Sequence, residues 1–428
     1  MGKPQTSSDL VHPVPSLNQL NLRIEHAFKR CSRIQWFYPQ FVIRIEYLVL
    51  MLVADLEQFD EDEGSLSIQY NVIPDLRRKL EHASPFCKHY MHHLDPENLN
   101  RETWAHAMYK PPVPQPNMSA EDDRNADWAT IARSIYYDSR FETDKDLPTV
   151  SEAKAEEISK ARSRDKDKCV VTDCPNIKNL WLIPFTWNNS PPHNDATGNL
   201  EGSGVDLADV DMLDGDLINA NELGMTHKSW NIMCIDKILY NFITRGWGGF
   251  RFEEAGQPND KGIVKVKLRF YWMPQMTGRF NRESTNKNEM TDIVNEFNAF
   301  VHAGCPPPPT YPKGERLKIP ESGQLVVVER DAGDMEKFTS VVKIHWACVV
   351  YTALCGGAGR PQFMTGIDQS YGHLQPRDEQ FANQKTELEE RDLVAQMAWK
   401  EYYQPSRDSG CGDTDPRTSG HGGGTSAG

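Results

Sequence analysis

The chain has 428 residues, with 61 acidic side chains against 47 basic ones and a formal net charge of −14. Its hydrophobic fraction is 38%, and the 29 glycines bring the apolar share to about 45%, the level of ordinary globular proteins, which excludes a wholly disordered chain. The acidic excess also excludes a globally basic nucleic-acid-binding surface and leaves room only for local basic patches.

At about 150 residues per domain, this length suggests two or three domains. The longest nearly apolar run, residues 47–54, falls far short of the about 20 residues a membrane span needs, so no membrane partner is expected. Residues 1–16 read as a flexible N-terminus, with Pro4, Ser7, Ser8, Asp9, Pro13 and Pro15 in place of an apolar signal stretch. The first six residues fit the loose myristoylation pattern, but Lys3-Pro4 is an awkward context for it. The nine cysteines are odd in number and include no C-x-x-C pair, which argues against a zinc knuckle and a disulfide scaffold. The expected location is intracellular, cytoplasmic or nuclear.

Residues 17–110 read as a helical N-terminal region. Leu20, Ile24, Ala27 and Phe28 recur at helical spacing, and the apolar stretch 41–59 is long enough for a buried helix. His89, His92 and His93 cluster there, and His89 and His93 would share a helix face. With no carboxylate or cysteine partner nearby, a solvated or core-edge cluster is expected rather than a metal site. The proline run 111–116 opens a linker and extended segment over 111–150. Residues 151–163 read as a charged, solvated helix. Cys169-Val170-Val171-Thr172 and Leu180-Trp181-Leu182-Ile183-Pro184-Phe185 read as two short strands of a hairpin. A loop over 188–216 and a helix over 231–243 follow. The clearest strand is 263–272, where Lys265, Lys267 and Arg269 alternate with apolar residues. Such a basic face can track a phosphate backbone, although a solvated face that discourages edge pairing has the same pattern. After the prolines 306–309 come a strand at 324–329, a buried helix over 338–357, and a last helix opened by the Thr386/Glu389 capping box. Residues 404–428 hold no aliphatic larger than alanine and read as a disordered tail.

Four elements in this order resemble the HNH-nuclease-domain proteins of filamentous fungi. The segment R-D-x-x-x-C-x-V-T stands here as residues 164–172. An I-x-P-F element is matched at Leu182-Ile183-Pro184-Phe185, a W-N-M-x-C-L segment at residues 230–235, and an aromatic-W-x-P ending at residues 271–274. The resemblance implies an α+β fold. Its centre would be a ββα-metal module over 151–280, flanked by the helical N-terminal region and a mixed α/β companion over 281–403.

In such a site one histidine deprotonates the attacking water, an asparagine orients it, and a later histidine helps hold one divalent ion. The matching positions here are Trp181, Asn231 and Tyr240, and only the asparagine is retained. The residue before Trp181, another frequent ligand position, is Leu180. Indole has no acceptor for a proton, leucine cannot bind a metal, and phenol is a weak base at neutral pH. The resemblance therefore implies a degenerate centre with no cofactor and a binding or scaffolding role, with DNA or RNA along Lys265, Lys267 and Arg269, or a protein, as partner. The alternatives are an active nuclease, dependent on Mg²⁺ or Mn²⁺, with His193 or His227 as a displaced base, and a protein-interaction module without a nucleic-acid role. Asp206, Asp209, Asp211, Asp214 and Asp216 could supply carboxylates to the active form, but their spacing fails the EF-hand pattern.

Overall fold

The computed structural model describes residues 11–95 and 143–363, apart from 40, 70–72, 144–145, 151–154, 281, 285–287, 313–317 and 361–362. The expected linker prolines 111–116, the final helix and the tail lie outside the described residues. The fold is mixed helix and sheet, as the α+β expectation has it.

Three helices build the N-terminal part: α1 (Leu20–Phe37), α2 (Ile45–Val53) and α3 (Ile73–Leu94). The inward stripe of α1 is Arg23, Ala27, Phe28, Arg30, Cys31 and Ile34, so two arginines sit among apolar neighbours. Each is placed by backbone carbonyls that lack other donors. Arg23 donates to Met51 O (3.0 Å) and Ala54 O (2.6 Å) at the C-terminal end of α2, where helix carbonyls have no intrahelical partner. Arg30 donates to Leu66 O (2.6 Å) and Phe59 O (2.7 Å), and its guanidinium lies over the Phe59 ring. Burial pulls both down to about 10, which still leaves them charged at neutral pH. The apolar stretch expected as one helix over 41–59 forms α2 and then, beyond the extended Ala54, a 3-10 turn at Leu56–Phe59.

The histidine cluster on α3 corrects the expectation of a solvated or core-edge site. His89 and His93 are fully buried and His92 nearly so, because α3 is covered by α2 and by later helices. His89 and His93 do share a face, with ring centroids 4.5 Å apart.

The short helix α4 (Ala155–Arg164) follows, as the charged segment suggests. The hairpin expectation fails. Residues 169–172 form a turn, in which Cys169 Sγ accepts from the N–H groups of Val171 (3.4 Å) and Thr172 (3.3 Å). Asp173 takes a φ of 60°, and Cys169 N–H closes onto Cys174 O at 2.8 Å. Local bonds to sulfur thus override the β-branched composition. The strand lies at β1 (Ile177–Trp181), and its antiparallel partner is β2 (Ile232–Asp236), with Trp181 opposite Ile232 and Ile177 opposite Asp236. The expected helix over 231–243 is therefore a strand followed by α7 (Lys237–Ile243). Asp236 divides them by accepting from Ile238 N–H (2.9 Å) and Leu239 N–H (3.2 Å) as an N-cap.

The excursion between β1 and β2 is not the loop expected over 188–216. It carries α5 (Pro191–Leu200), with proline in its first turn, and α6 (Gly202–Ala208). The buried faces of these helices use polar residues. Asn194 donates to Thr143 Oγ1 and Asn219 O, Thr197 Oγ1 meets His89 Nε2 at 3.0 Å, and Asp206 accepts from Ser65 Oγ at 2.7 Å.

A second sheet is antiparallel in the order β3 (Gly248–Ala255), β4 (Ile263–Trp272), β5 (Gln324–Asp331), with a bulge near Phe252. Helix α8 (Asn288–His302) lies between β4 and β5 in the chain. The long helix α9 (Met335–Leu354) packs on β3. Gly249 permits that approach, since a Cβ there would stand 3.1 Å from His345 Nε2. Past α9, Gly356 has φ 75°, and a Cβ would fall 2.0 Å from Thr277 O. That close approach explains why small residues follow this helix.

Candidate functional site

Sequence reasoning gathers Trp181, Asn231 and Tyr240 around one ion, and the strand geometry separates them. Alternate residues of β1 face opposite sides of its sheet. Lys178 Nζ lies 4.9 Å from the Tyr240 ring centroid, so the Lys178–Leu180 side of β1 looks towards α7. Trp181 points the other way. It packs with Ala161 and Ile158 of α4, with Ile232, and with Phe185, whose ring is 5.7 Å away, and is only 6% exposed. The residue that shares the helix side with Tyr240 is Leu180, which is fully buried and has no donor atom.

Asn231 is fully buried at the end of a 3-10 turn, one residue before β2. Its Nδ2 donates to Ile183 O (2.7 Å) and Thr226 O (2.8 Å), and its Oδ1 accepts from Ile183 N–H (2.8 Å). With its own carbonyl accepting from Leu182 N–H (3.0 Å), the residue buckles the exit of β1 to the entry of β2. Both Nδ2 hydrogens and the oxygen are therefore committed to backbone. Tyr240 is 4% exposed, and its hydroxyl donates to Asp95 Oδ1 at 3.4 Å.

The segment that opens the resemblance is structural as well. Arg164 grips Asp165 through Nε (2.8 Å) and Nη2 (3.1 Å) and donates to Ser229 O and Ile232 O. Asp165 Oδ2 in turn accepts from Cys234 N–H at 3.0 Å, which fixes the outer edge of β2. Arg330 reaches in from β5, donates to Ile232 O (3.2 Å), and lies over the Phe338 ring. Burial brings its guanidinium down to about 9.

Both displaced histidines are tied to backbone carbonyls. His227 is 3% exposed, donates from Nε2 to Phe185 O at 2.9 Å, and so presents a bare Nδ1 inside the core. Burial holds this imidazole below its usual range, which keeps it neutral. His193 donates from Nδ1 to Thr186 O (2.9 Å) and Asn189 Oδ1 (2.6 Å), and its ring lies 5.7 Å from His93. It joins the histidine cluster of α3. The aspartates scatter. Asp206 is buried against Ser65 and pushed up to about 6 by that burial, while Asp211 closes a turn onto Leu213 and Asp214 N–H groups. Among the described residues, no group of three or more His, Cys, Asp or Glu side chains could hold a metal ion. A nuclease-type divalent ion does not fit Leu180, Trp181, Asn231 and Tyr240, since these offer no anionic or imidazole donor.

Lys265, Lys267 and Arg269 share the outer face of the β3–β4–β5 sheet, and acidic neighbours match them. Lys267 pairs with Glu254, Arg269 lies 3.2 Å from Glu253, and Lys265 stands opposite Glu329 in the strand register. The sequence pattern hid this because those glutamates lie on other strands.

Sequence reasoning missed His345, which is fully buried on α9. Tyr90 Oη lies 2.7 Å from Leu182 O and 2.6 Å from His345 Nδ1. Tyr90 has one proton, and it goes to the carbonyl, so His345 carries its own on Nδ1. Its Nε2 is then a bare acceptor, which is cheaper to bury than an unpaired N–H. A lone histidine in a long apolar helix was the signal available in the sequence.

No family model matches the chain, and no curated protein or solved structure does either. Among the described residues no helix is long and apolar enough to cross a membrane.

Proposed function

We propose that the chain is an HNH-nuclease-like protein whose ββα element persists as a scaffold with a non-catalytic centre. The observation that supports this most directly is Asn231, whose side-chain amide is saturated by Ile183 and Thr226 backbone groups and offers nothing to a histidine or a metal. Around it the former ligand positions hold leucine, a packed indole and a phenol bonded to Asp95. Plasmid and single-stranded DNA incubated with the full chain and Mg²⁺ or Mn²⁺ should stay uncut. Cutting that is abolished both by EDTA and by His227→Gln or His193→Gln would instead establish the displaced-base nuclease.

The binding role falls to protein rather than nucleic acid, because Lys267 and Arg269 on the exposed sheet face are paired with Glu254 and Glu253, and Lys265 stands across from Glu329 in the register. A phosphate-tracking surface needs cations free to replace counterions. Replacing Lys265, Lys267 and Arg269 together by alanine should leave any DNA affinity and its salt slope unchanged. A slope that falls by two or more on this replacement would return the nucleic-acid partner to the proposal.

A further inference from the structure

Strand β5 is an edge with an unusual gap in its protection. Gly256 N–H bonds Lys265 O, and Met273 N–H bonds Trp247 O, so odd-numbered residues of β4 turn to β3 and even ones to β5. In register, Gln324, Val326, Val328 and Arg330 then turn to β4, while the backbone groups of Leu325, Val327 and Glu329 point outward. Arg330 Nη1 occupies the Glu329 carbonyl at 2.7 Å. What is left among the described residues is the N–H and C=O of Leu325 and of Val327, together with the N–H of Glu329. The side chains of these two are 46% and 49% exposed. Natural edges are commonly blunted by charge, proline or a bulge, and residues 324–328 carry none of these.

We propose that this edge pairs with the same edge of a second copy. The fit follows from the strand itself. An antiparallel, two-fold pairing centred on Val326 sets Leu325 of each copy opposite Val327 of the other. It engages the N–H and C=O of both Leu325 and Val327 on each strand and leaves the Glu329 N–H outside the pairing. The four exposed apolar side chains meet as one patch, and a six-stranded sheet results. Registers centred on 327, 328 or 329 set Glu329 against an apolar side chain or against its own mate, and one centred on 325 sets Val327 against Gly323 and so loses half of the apolar match.

At the edge itself, charge does not oppose a second copy. Lys267 and Arg269, which flank the patch, are already matched by Glu254 and Glu253, so the edge presents a neutral apolar surface to an identical one. The chains themselves repel, each carrying −14, so association should strengthen with salt. This pairing holds whether or not the HNH-like centre is catalytic.

Sedimentation equilibrium of the full chain tests it. At high micromolar concentration and high salt the apparent mass should double, and Val327→Lys should return it to the monomer with unchanged circular dichroism. Register is read by cysteine crosslinking. The double variant Leu325→Cys, Val327→Cys should form a disulfide-linked dimer on mild oxidation, whereas Val327→Cys alone should not, since its mate would lie beyond disulfide reach. A wild-type chain that stays monomeric, or a dimer indifferent to Val327→Lys, overturns the pairing. Efficient self-linking by Val327→Cys alone overturns the register.

Discussion

Replacing Asn231 by alanine should lower the unfolding free energy by roughly 3–5 kcal/mol, read as a shift in the urea midpoint at unchanged slope. The size follows from what would be left behind. Ile183 N–H, Ile183 O and Thr226 O would each lose a partner inside the core, where water does not reach them. An unpaired buried polar group costs about 1–3 kcal/mol, and partial relaxation brings the total below the simple sum. Asn231→Asp should be comparably harmful, because a carboxylate can accept from Ile183 N–H but cannot donate to the two carbonyls. A loss under about 1 kcal/mol for both variants would show that the amide is not the clasp described.

Acidification below pH 6.5 should destabilise the chain steeply, and again the reason is burial. His345 is held down to about 3, and His89 and His93 are held well below their usual range, first by burial and then by neighbouring imidazoles. In the unfolded chain each takes up a proton near pH 6.5. Between that value and the lowered folded one, the unfolded state binds more protons. The stability contributed by the neutral histidines is therefore complete above 6.5 and is lost as pH falls, at up to about 1.4 kcal/mol per pH unit for each imidazole. Asp206, pushed up to about 6, and Glu81, also raised by burial, work in the opposite direction over part of this range. Asp334 is raised in the same way, while His26 and His227 are lowered, so three carboxyl groups stand against five imidazoles and do not offset them. Urea midpoints should drop from pH 7.5 to pH 5, and the slope should be shallower in His345→Gln. A midpoint that is flat or rises on acidification would contradict the burial of these rings.

The parts of this fold that the sequence shows plainly are those whose buried faces are apolar, however distant their partners in the chain. Strands β4 and β5 alternate apolar and polar residues, and α9 is apolar enough to be read as buried; all three form where expected. The failures share a physical cause. Helices α5 and α6 bury Asn194, Thr197 and Asp206, so the inward face that marks a helix by hydropathy is itself polar. Cys169 to Thr172 have strand composition, but the Cys169 sulfur offers their N–H groups a nearer acceptor. At the candidate site the residue types were legible and their sides were not. Trp181 and Tyr240 occupy the positions that the resemblance assigns to one ion, yet the two-residue alternation of β1 sends the indole towards α4 and leaves Leu180 towards α7.

The β1–β2 pair carries a consequence for the order in which the chain folds. Trp181 and Ile232 are direct neighbours, but the stretch between them contains α5, α6 and three 3-10 turns. Bringing those strands together in an unstructured chain costs loop-closure entropy before any ladder bond rewards it. If the intervening helices form first, the ends they present are closer, and the clasp of Asn231 on Ile183 is the contact that shuts the loop. The strand pair would then be a late, rate-limiting event, and Asn231 would act on how fast the chain folds as well as on how firmly it stays folded.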